Sequence, residues 1–132
     1  MAKRLTYAMV GGGPDGFIRD AHRRAIGLDG TAAIAAGVFS RNREKSLQMA
    51  ESLGISPNRC YEDYQTMARA EGEREDGVDF VTVVTPNQSH YEICRAFLEA
   101  GIHVVCDKPV TTTYRQAKEL EALAEDKGLL FM

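Results

Sequence analysis

One feature constrains this chain more than any other: an apolar run ends in a cluster of glycines and passes directly into a helical pattern. Residues 5–22 read LTYAMVGGGPDGFIRDAH, with glycine at Gly11, Gly12, Gly13 and Gly16. Glycine loses more conformational freedom on folding than any other residue, so it is costly where order is needed. The cluster therefore indicates that the backbone must be free of side chains at this point.

Apolar runs that predict strands alternate with segments of helical periodicity. The runs cover residues 5–10, 33–39, 78–85 and 102–107, and each is almost continuously apolar. Such runs are typical of strands that are covered on both faces, as in a parallel sheet. Because the links between the runs and the helical segments are short, we expect a doubly wound, mostly parallel α/β sheet with helices on both faces and right-handed crossovers.

Local signals predict several helix faces and helix starts. The first helix is expected to carry an apolar face with helical spacing, made of Ile18, Ala21, Ala25 and Leu28. Asp63 is placed to cap a helix at residues 64–70. Thr113 and Gln116 form a predicted capping box, in which each side chain would satisfy the other residue's amide.

Three further segments carry weaker signals. Residues 59–61 are compatible with a short additional strand, and the charged run at residues 71–76 is expected to be a solvated loop. Residues 128–132 begin a new apolar strand at the point where the sequence ends. Because natural termini are more often polar and exposed, residues 1–132 are interpreted as one domain at the front of a longer protein.

Composition and charge exclude several classes of protein. The formal net charge of −3 argues against nucleic acid as a partner, which usually requires a basic face. No apolar run approaches the ~18 residues that span a bilayer, so we expect no membrane partner. The three cysteines are scattered without a CxxC pair, which indicates neither a disulfide framework nor a metal site and favours the reduced cytoplasm.

The glycine cluster has the spacing of a dinucleotide-binding loop, Gly11-x-Gly13-x-x-Gly16. In such a loop the first glycine makes a tight turn, the second lets phosphate approach the backbone and the third lets the helix pack closely. Amides at the helix N-terminus would then bind the pyrophosphate. The predicted cofactor-binding residues here are Gly11, Gly13, Pro14, Asp15, Gly16, Phe17 and Ile18. The alternative is a merely flexible strand–helix turn.

The end of the second predicted strand indicates which dinucleotide is preferred. NAD-binding chains usually place an acid there to bind the ribose 2′-hydroxyl. This chain has Ser40 and Arg41 instead, and no acid before Glu44. A hydroxyl and a guanidinium would hold a 2′-phosphate through charge-assisted hydrogen bonds, so we expect NAD(P) with a preference for NADP. The alternative is that Arg41 and Arg43 are only solvated charges at a helix start.

Two later strand ends carry polar motifs, TPNQSH at residues 85–90 and CDKP at residues 106–109. In a doubly wound sheet these ends lie near the strand that carries the glycine loop. With ~4.8 Å between strands, Lys108 falls about two strand spacings from that loop, near a reacting carbon. A lysine there could stabilise negative charge on a substrate oxygen or take part in proton transfer.

Together, GGGPDGFI, TPNQSH and CDKP resemble the N-terminal domain of the Gfo/Idh/MocA family of NAD(P)-dependent oxidoreductases over essentially the whole chain. The resemblance implies that Lys108 is the catalytic lysine and that the Lys108–Pro109 peptide bond is cis. It places Asp107 where the family usually has glutamate, and it assigns cofactor contacts to the two later motifs. The predicted nicotinamide-side residues are Thr85, Pro86, Asn87, His90, Asp107, Lys108 and Pro109.

The resemblance implies hydride transfer between NAD(P) and a sugar, cyclitol or related polyol. Family members bind substrate through a C-terminal domain that residues 1–132 lack, so this piece is expected to bind a dinucleotide without turnover. Family members also commonly associate through that domain, which leaves a homo-oligomer of the longer protein open.

Two other functions remain open: a non-catalytic dinucleotide-sensing module, which would not need Lys108, and an AdoMet-dependent methyltransferase, which usually has an acid where Ser40 stands. Individual side chains also have structural alternatives. His90 fits a site role or a packing role equally well, His22 and His103 are favoured as packing residues, and nothing marks Cys106 as a nucleophile.

Overall fold

The computed structural model describes residues 3–14 and 18–132. Within these residues, strands and helices alternate as the sequence predicts. The strands are β1 (Leu5–Gly11), β2 (Ala32–Val38), β3 (Phe80–Val84) and β4 (His103–Cys106). The α-helices are α1 (Arg19–Gly27), α2 (Arg43–Ser52), α3 (Tyr64–Glu73), α4 (His90–Glu99) and α5 (Tyr114–Lys127), with short 3-10 turns at Pro57–Arg59 and Asn87–Ser89.

The four strands form a parallel sheet in the order β2-β1-β3-β4. Single parallel bridges extend both edges, Gly37 with Cys60 beyond β2 and Val104 with Phe131 beyond β4. The weak strand signals at residues 59–61 and 128–132 therefore correspond to real but minimal pairing. The chain reverses its direction of travel across the sheet between β1 and β3, which is where doubly wound sheets bind ligands. The predicted α/β fold class is confirmed.

Side chains alternate across the sheet and fill a hydrophobic core on each face. On β1, Ala8 and Val10 pack with residues of α3, α4 and α5, whereas Tyr7 and Met9 pack with Met49 and other residues of the α2 side. All four β1 side chains are almost completely buried. Tyr7 also stacks on the ring of Phe80 in β3, with ring centroids 5.3 Å apart. Burial on both faces explains why the strands appear as continuous apolar runs.

The predicted helix starts are largely confirmed. Asp63 caps α3 by accepting a hydrogen bond from the Thr66 amide at 2.6 Å. Thr113 caps α5 by accepting from the Gln116 amide at 3.2 Å. The second hydrogen bond of the predicted capping box, from the Thr113 amide to the Gln116 side chain, is replaced. Oε1 of Gln116 accepts a hydrogen bond from the Thr112 hydroxyl instead.

The prediction for the apolar face of α1 is wrong, because Ala21, Ala25 and Leu28 are all exposed, Leu28 to 87%. The half-buried face of α1 instead carries Arg19, His22, Arg23 and Ile26, and none of the residues in α1 is fully buried. His103 lies in β4 as expected, and its Nδ1 accepts a hydrogen bond from the Leu130 amide at 2.9 Å.

The prediction of a solvated loop at residues 71–76 is confirmed for residues 74–76, which are exposed and lie outside the helix, and is wrong for residues 71–73. Helix α3 continues to Glu73, and the Glu71 side chain is completely buried. The Arg59 guanidinium donates two hydrogen bonds to its carboxylate, at 2.9 and 2.8 Å, and the Tyr61 hydroxyl lies 3.3 Å away. These bonds with Glu71 raise the pKa of Arg59. A charged run that looks exposed in the sequence thus supplies a buried ion pair.

No helix in the described part of the chain is both long and apolar enough to cross a membrane. Among the same residues, no group of three or more histidine, cysteine or acidic side chains is arranged to hold a metal ion.

The buried ion pair generates a stability prediction. Replacing Glu71 by glutamine removes the charge that the Arg59 guanidinium faces, and breaking such a buried pair costs about 3 kcal/mol or more. Glu73→Gln, at an exposed position of the same helix, is the matched control and is expected to change stability by less than about 0.5 kcal/mol. Urea unfolding followed by circular dichroism measures both. Equal midpoints for the two variants would contradict the assigned role of Glu71.

Candidate functional site

A cleft of about 680 Å³ opens at the carboxyl ends of the central strands. Its walls come from four places: the glycine loop after β1, the end of β2, the start of α3 and the loop after β3, with one residue from the end of β4. The residues that line it include Gly11, Gly12, Gly13, Pro14, Ile18, Ser40, Arg41, Glu62, Asp63, Tyr64, Gln65, Thr85, Pro86, Ser89 and Asp107. The topology thus brings most of the predicted cofactor residues to one site.

Two glycines let the loop lie directly against neighbouring strand ends. Gly11 has φ +88°, and a Cβ there would lie 3.0 Å from the Val84 carbonyl oxygen at the end of β3. A Cβ on Gly13 would lie 2.5 Å from the carbonyl oxygen of Phe39, closer than real Cβ atoms approach. Gly11 makes the tight turn as predicted. Glycine is required at Gly13 by the fold before any ligand is considered, because the loop contacts the backbone at the end of β2.

Two arginines of α1 hold the carbonyl groups of the glycine loop. Nη1 of Arg19 donates a short hydrogen bond to the Gly13 carbonyl, and Nη1 of Arg23 donates to the Gly12 carbonyl at 3.3 Å. Arg23 is itself held by Asp20 at 2.9 Å. Carbonyl oxygens would repel a phosphate, so these bonds offset unfavourable dipoles beside the cleft. In the sequence the two arginines appear only as polar residues beside an apolar face, which gave no signal of this role.

The predicted loop residues Asp15, Gly16 and Phe17 lie outside the described residues. Ile18 lines the cleft and immediately precedes α1.

The end of β2 presents Ser40 and Arg41 to the cleft. The Ser40 hydroxyl oxygen accepts a hydrogen bond from the Asn42 amide at 3.1 Å, and Asn42 caps α2. Arg41 is exposed and, among the described residues, makes no hydrogen bond or ion pair. Arg43 differs, because its Nη1 donates to the Cys60 carbonyl at 2.7 Å and is committed to a structural contact. Arg43 is therefore not a merely solvated charge.

The start of α3 forms a wall of the cleft that sequence analysis missed. Glu62, Asp63, Tyr64 and Gln65 all line it. Hydrogen bonds from Thr66 hold the pKa of Asp63 below its ordinary value, so this wall carries a carboxylate at neutral pH. The available sequence signal was the capping motif at Asp63, which was interpreted only as a helix start.

The loop after β3 contributes Thr85, Pro86 and Ser89 to the cleft. Oγ of Ser89 lies 2.7 Å from both Thr85 Oγ1 and the Pro86 carbonyl oxygen, which closes the loop on itself. Asn87 starts the short 3-10 turn and is exposed, and it is not among the residues that line the cleft.

His90 is completely buried and contacts backbone on two loops. Its Nε2 lies 2.8 Å from the Thr85 carbonyl oxygen, and its Nδ1 lies 2.8 Å from the Pro109 carbonyl oxygen. Of the two roles left open for this histidine, the packing role matches these contacts. A direct contact with a cofactor does not, because the ring is outside the cleft lining and inaccessible.

The residues after β4 flank the end of the cleft. Asp107 lines it, and its Oδ1 lies 3.4 Å from Nε2 of His22 on α1. The Lys108–Pro109 peptide bond is cis, as the resemblance implies. Lys108 is exposed, does not line the cleft and makes no hydrogen bond or ion pair with the described residues. Its ammonium group is therefore accessible to a molecule that enters beside Asp107.

Cys106 precedes this loop and is engaged in structural contacts. Its thiol donates to the Asp107 carbonyl at 3.4 Å. Hydrogen bonding with Cys106, together with burial, raises the pKa of the Cys94 thiol. A thiol held in its protonated form is a poor nucleophile, so the raised pKa supports a packing role for Cys94.

Comparison with known proteins identifies the family. The profile of the Gfo/Idh/MocA family, described as "Oxidoreductase family, NAD-binding Rossmann fold", matches residues 5–132. The chain belongs to this family. The resemblance drawn from the three motifs is thereby confirmed, and the methyltransferase alternative is excluded.

Individual relatives agree with this assignment. The chain is 44% identical over 129 residues to "Uncharacterized oxidoreductase YfiI" of Bacillus subtilis, covering 97% of this chain and 33% of that protein. It superimposes with a TM-score of 0.95 on an inositol dehydrogenase homolog from Azotobacter vinelandii complexed with NAD⁺, at 40% identity over 99% of this chain and 34% of that one.

A more distant structure carries the phosphorylated cofactor. Biliverdin reductase from Synechocystis, in complex with biliverdin and NADP⁺, matches with a TM-score of 0.78 and 26% identity, over 98% of this chain and 37% of that one. The chain thus spans about a third of the length of the relatives it matches. Structures similar to this chain thus hold NAD⁺ in one case and NADP⁺ in another.

The close approach at Gly13 generates a binding prediction. Gly13→Ala places a Cβ against the Phe39 carbonyl and must displace the loop, so we expect dinucleotide affinity to fall at least tenfold. Gly27→Ala is the control, because a Cβ there meets nothing within 4 Å. It is expected to leave affinity unchanged and to add about 0.5–1 kcal/mol of stability. Fluorescence titration with NADH and NADPH checks both, and unaltered binding by Gly13→Ala would contradict the prediction.

Proposed function

We propose that this chain is the cofactor-binding domain of an oxidoreductase that transfers a hydride between NAD(P) and a sugar, cyclitol or related polyol. The observation that carries the proposal is one juxtaposition. A cleft floored by side-chain-free backbone at Gly11–Gly13 ends beside Asp107 and an accessible Lys108. Phosphate binding and a cation for the reacting oxygen would thus lie at neighbouring strand ends.

The residues of the cleft fit a dinucleotide. Its volume of about 680 Å³ lies within the ~300–1,000 Å³ of ordinary ligand sites. The glycine loop would receive the pyrophosphate, because Gly11, Gly12 and Gly13 line the cleft without side chains and the tight fit of Gly13 against the Phe39 carbonyl fixes the loop. Ser40 and Arg41 lie at one end of the cleft and Thr85, Pro86 and Asp107 at the other, which supports adenosine at the first end and nicotinamide at the second.

The bound cofactor would supply the hydride acceptor or donor. The chain's own residues would position the cofactor and the substrate and stabilise the charge that develops on the substrate. The Lys108 ammonium would donate a hydrogen bond to the substrate hydroxyl oxygen and stabilise negative charge that develops there during oxidation. Proton transfer through Lys108 is the second contribution this side chain offers. Asp107 would bind a hydroxyl of the nicotinamide ribose. We assign the catalytic role to Lys108 alone within these residues.

The substrate class rests on relatives. The Azotobacter vinelandii homologue has also been determined in complex with NADH and myo-inositol, at 40% identity to this chain. A polyol presents hydroxyl oxygens, which suit a lysine that donates hydrogen bonds. A sugar, cyclitol or other polyol is therefore the substrate we propose.

Cofactor preference is tested by titration. We expect NADP(H) to bind more tightly than NAD(H), since Arg41 would pair with the 2′-phosphate. Arg41→Ala is expected to weaken NADPH binding about tenfold, a loss of about 1.4 kcal/mol, and to leave NADH binding nearly unchanged. Arg24→Ala removes an exposed arginine on α1 outside the cleft lining and serves as the control. Equal or tighter NADH binding that Arg41→Ala does not alter would contradict the preference.

Activity measurements test two claims: that residues 1–132 bind the cofactor without turnover, and that Lys108 is catalytic in the complete protein. Residues 1–132 alone are expected to bind dinucleotide but to show no oxidation of myo-inositol, glucose or xylose, because substrate-binding elements of the longer relatives are not among them. In the complete protein, Lys108→Ala should lower kcat by two or more orders of magnitude with little change in cofactor affinity. Measurable turnover by residues 1–132, or full activity without Lys108, would overturn the respective claim.

A further inference from the structure

Two histidines contact the two residues that flank Lys108. His22, on the helix that follows the glycine loop, lies 3.4 Å from the Asp107 carboxylate. His90, at the start of the helix that follows the β3 loop, lies 2.8 Å from the Pro109 carbonyl oxygen. Each histidine therefore joins an element that lines the cleft to one side of the lysine.

His90 is a buried bridge between two loops. Its ring is 0% exposed, and its other nitrogen lies 2.8 Å from the Thr85 carbonyl oxygen. The loop after β3 and the loop after β4 thus share one side chain. Loss of a buried partner leaves a carbonyl group without a hydrogen bond, which costs about 1–3 kcal/mol and removes the link between the loops.

His22 makes the second link, from α1 to Asp107. Helix α1 carries His22 together with Arg19 and Arg23, which bind the carbonyl groups of Gly13 and Gly12. A displacement of the glycine loop would therefore be transmitted along α1 to Asp107. Both links act on neighbours of Lys108, whose own side chain makes no hydrogen bond or ion pair with the described residues.

We propose that His22 and His90 are positioning residues that couple dinucleotide binding in the cleft to the placement of Lys108. The proposal rests on the proposed function, because it assumes that a dinucleotide occupies the cleft. Neither histidine needs to contact the cofactor. The coupling runs from the glycine loop through α1 to Asp107, and from Thr85 through the His90 ring to Pro109.

The test follows the Lys108 ammonium directly. The lysines of the chain are ¹³C-dimethylated, which keeps their charge, and the Lys108 signal is assigned from its absence in Lys108→Arg. Addition of saturating NADPH should shift the Lys108 signal and leave those of Lys118 and Lys127, on the remote helix α5, in place. In His22→Gln and in His90→Gln we expect the Lys108 shift to fall by about half or more at saturation.

The matched control is the third histidine of the chain. His103 lies at the end of β4 remote from Lys108, and its ring accepts a hydrogen bond from the Leu130 amide, so His103→Gln should retain the full Lys108 shift. NADPH titration and thermal unfolding of every variant separate a change in coupling from a change in affinity or folding. A merely structural role would lower the unfolding temperature and leave the shift at saturation unchanged.

Each result decides the matter. A wild-type shift in both variants, or an equal loss in His103→Gln, overturns the proposal. If His90→Gln does not fold, His22→Gln decides alone, because His22 is partly exposed. If the wild-type chain binds neither NADPH nor NADH, the proposed function fails. The positioning role is then judged on the unliganded chain, where His22→Gln must move the Lys108 signal and His103→Gln must not.

Discussion

The site depends on the contact between the glycine loop and the ends of two strands. Gly13 lies closer to the Phe39 carbonyl than a Cβ atom can approach, and Gly11, with its positive φ, lies tightly against the Val84 carbonyl. Since β1 lies between β2 and β3, one loop can contact both neighbours at the same edge of the sheet. This contact holds the loop directly against the strand ends, so the loop lines the cleft without filling it.

Contacts distant in sequence shape the remaining walls. The ion pair between Arg59 and Glu71 joins the turn before α3 to the last turns of that helix. The enclosed segment presents residues 62–65 to the cleft. Arg43 binds the Cys60 carbonyl and connects the start of α2 to the same turn. The segment that contains residues 62–65 is thus fixed from both ends by guanidinium groups.

The sequence predicted the fold well because burial on both faces of a parallel sheet leaves a direct periodic signal. It also predicted the cleft at the level of loops, since the carboxyl ends of parallel strands converge. It could not identify the partners of Glu71, Arg19 or Arg43, because a charged residue gives the same local pattern whether solvent or a distant carbonyl satisfies it. His90 shows the same limit, since its two carbonyl partners belong to different loops.

The contacts at the end of β2 limit which side chains there can bind a 2′-phosphate and so determine the cofactor preference. Arg43 is committed to the Cys60 carbonyl, so Arg41 is the guanidinium at this strand end that can face a 2′-phosphate. The Ser40 oxygen already accepts the Asn42 amide, which leaves its hydroxyl proton to donate to an anion. The start of α3, beside the end of β2, carries Glu62 and Asp63, whose carboxylates would oppose added negative charge. Preference for a phosphorylated ribose therefore depends on one arginine acting against two acids.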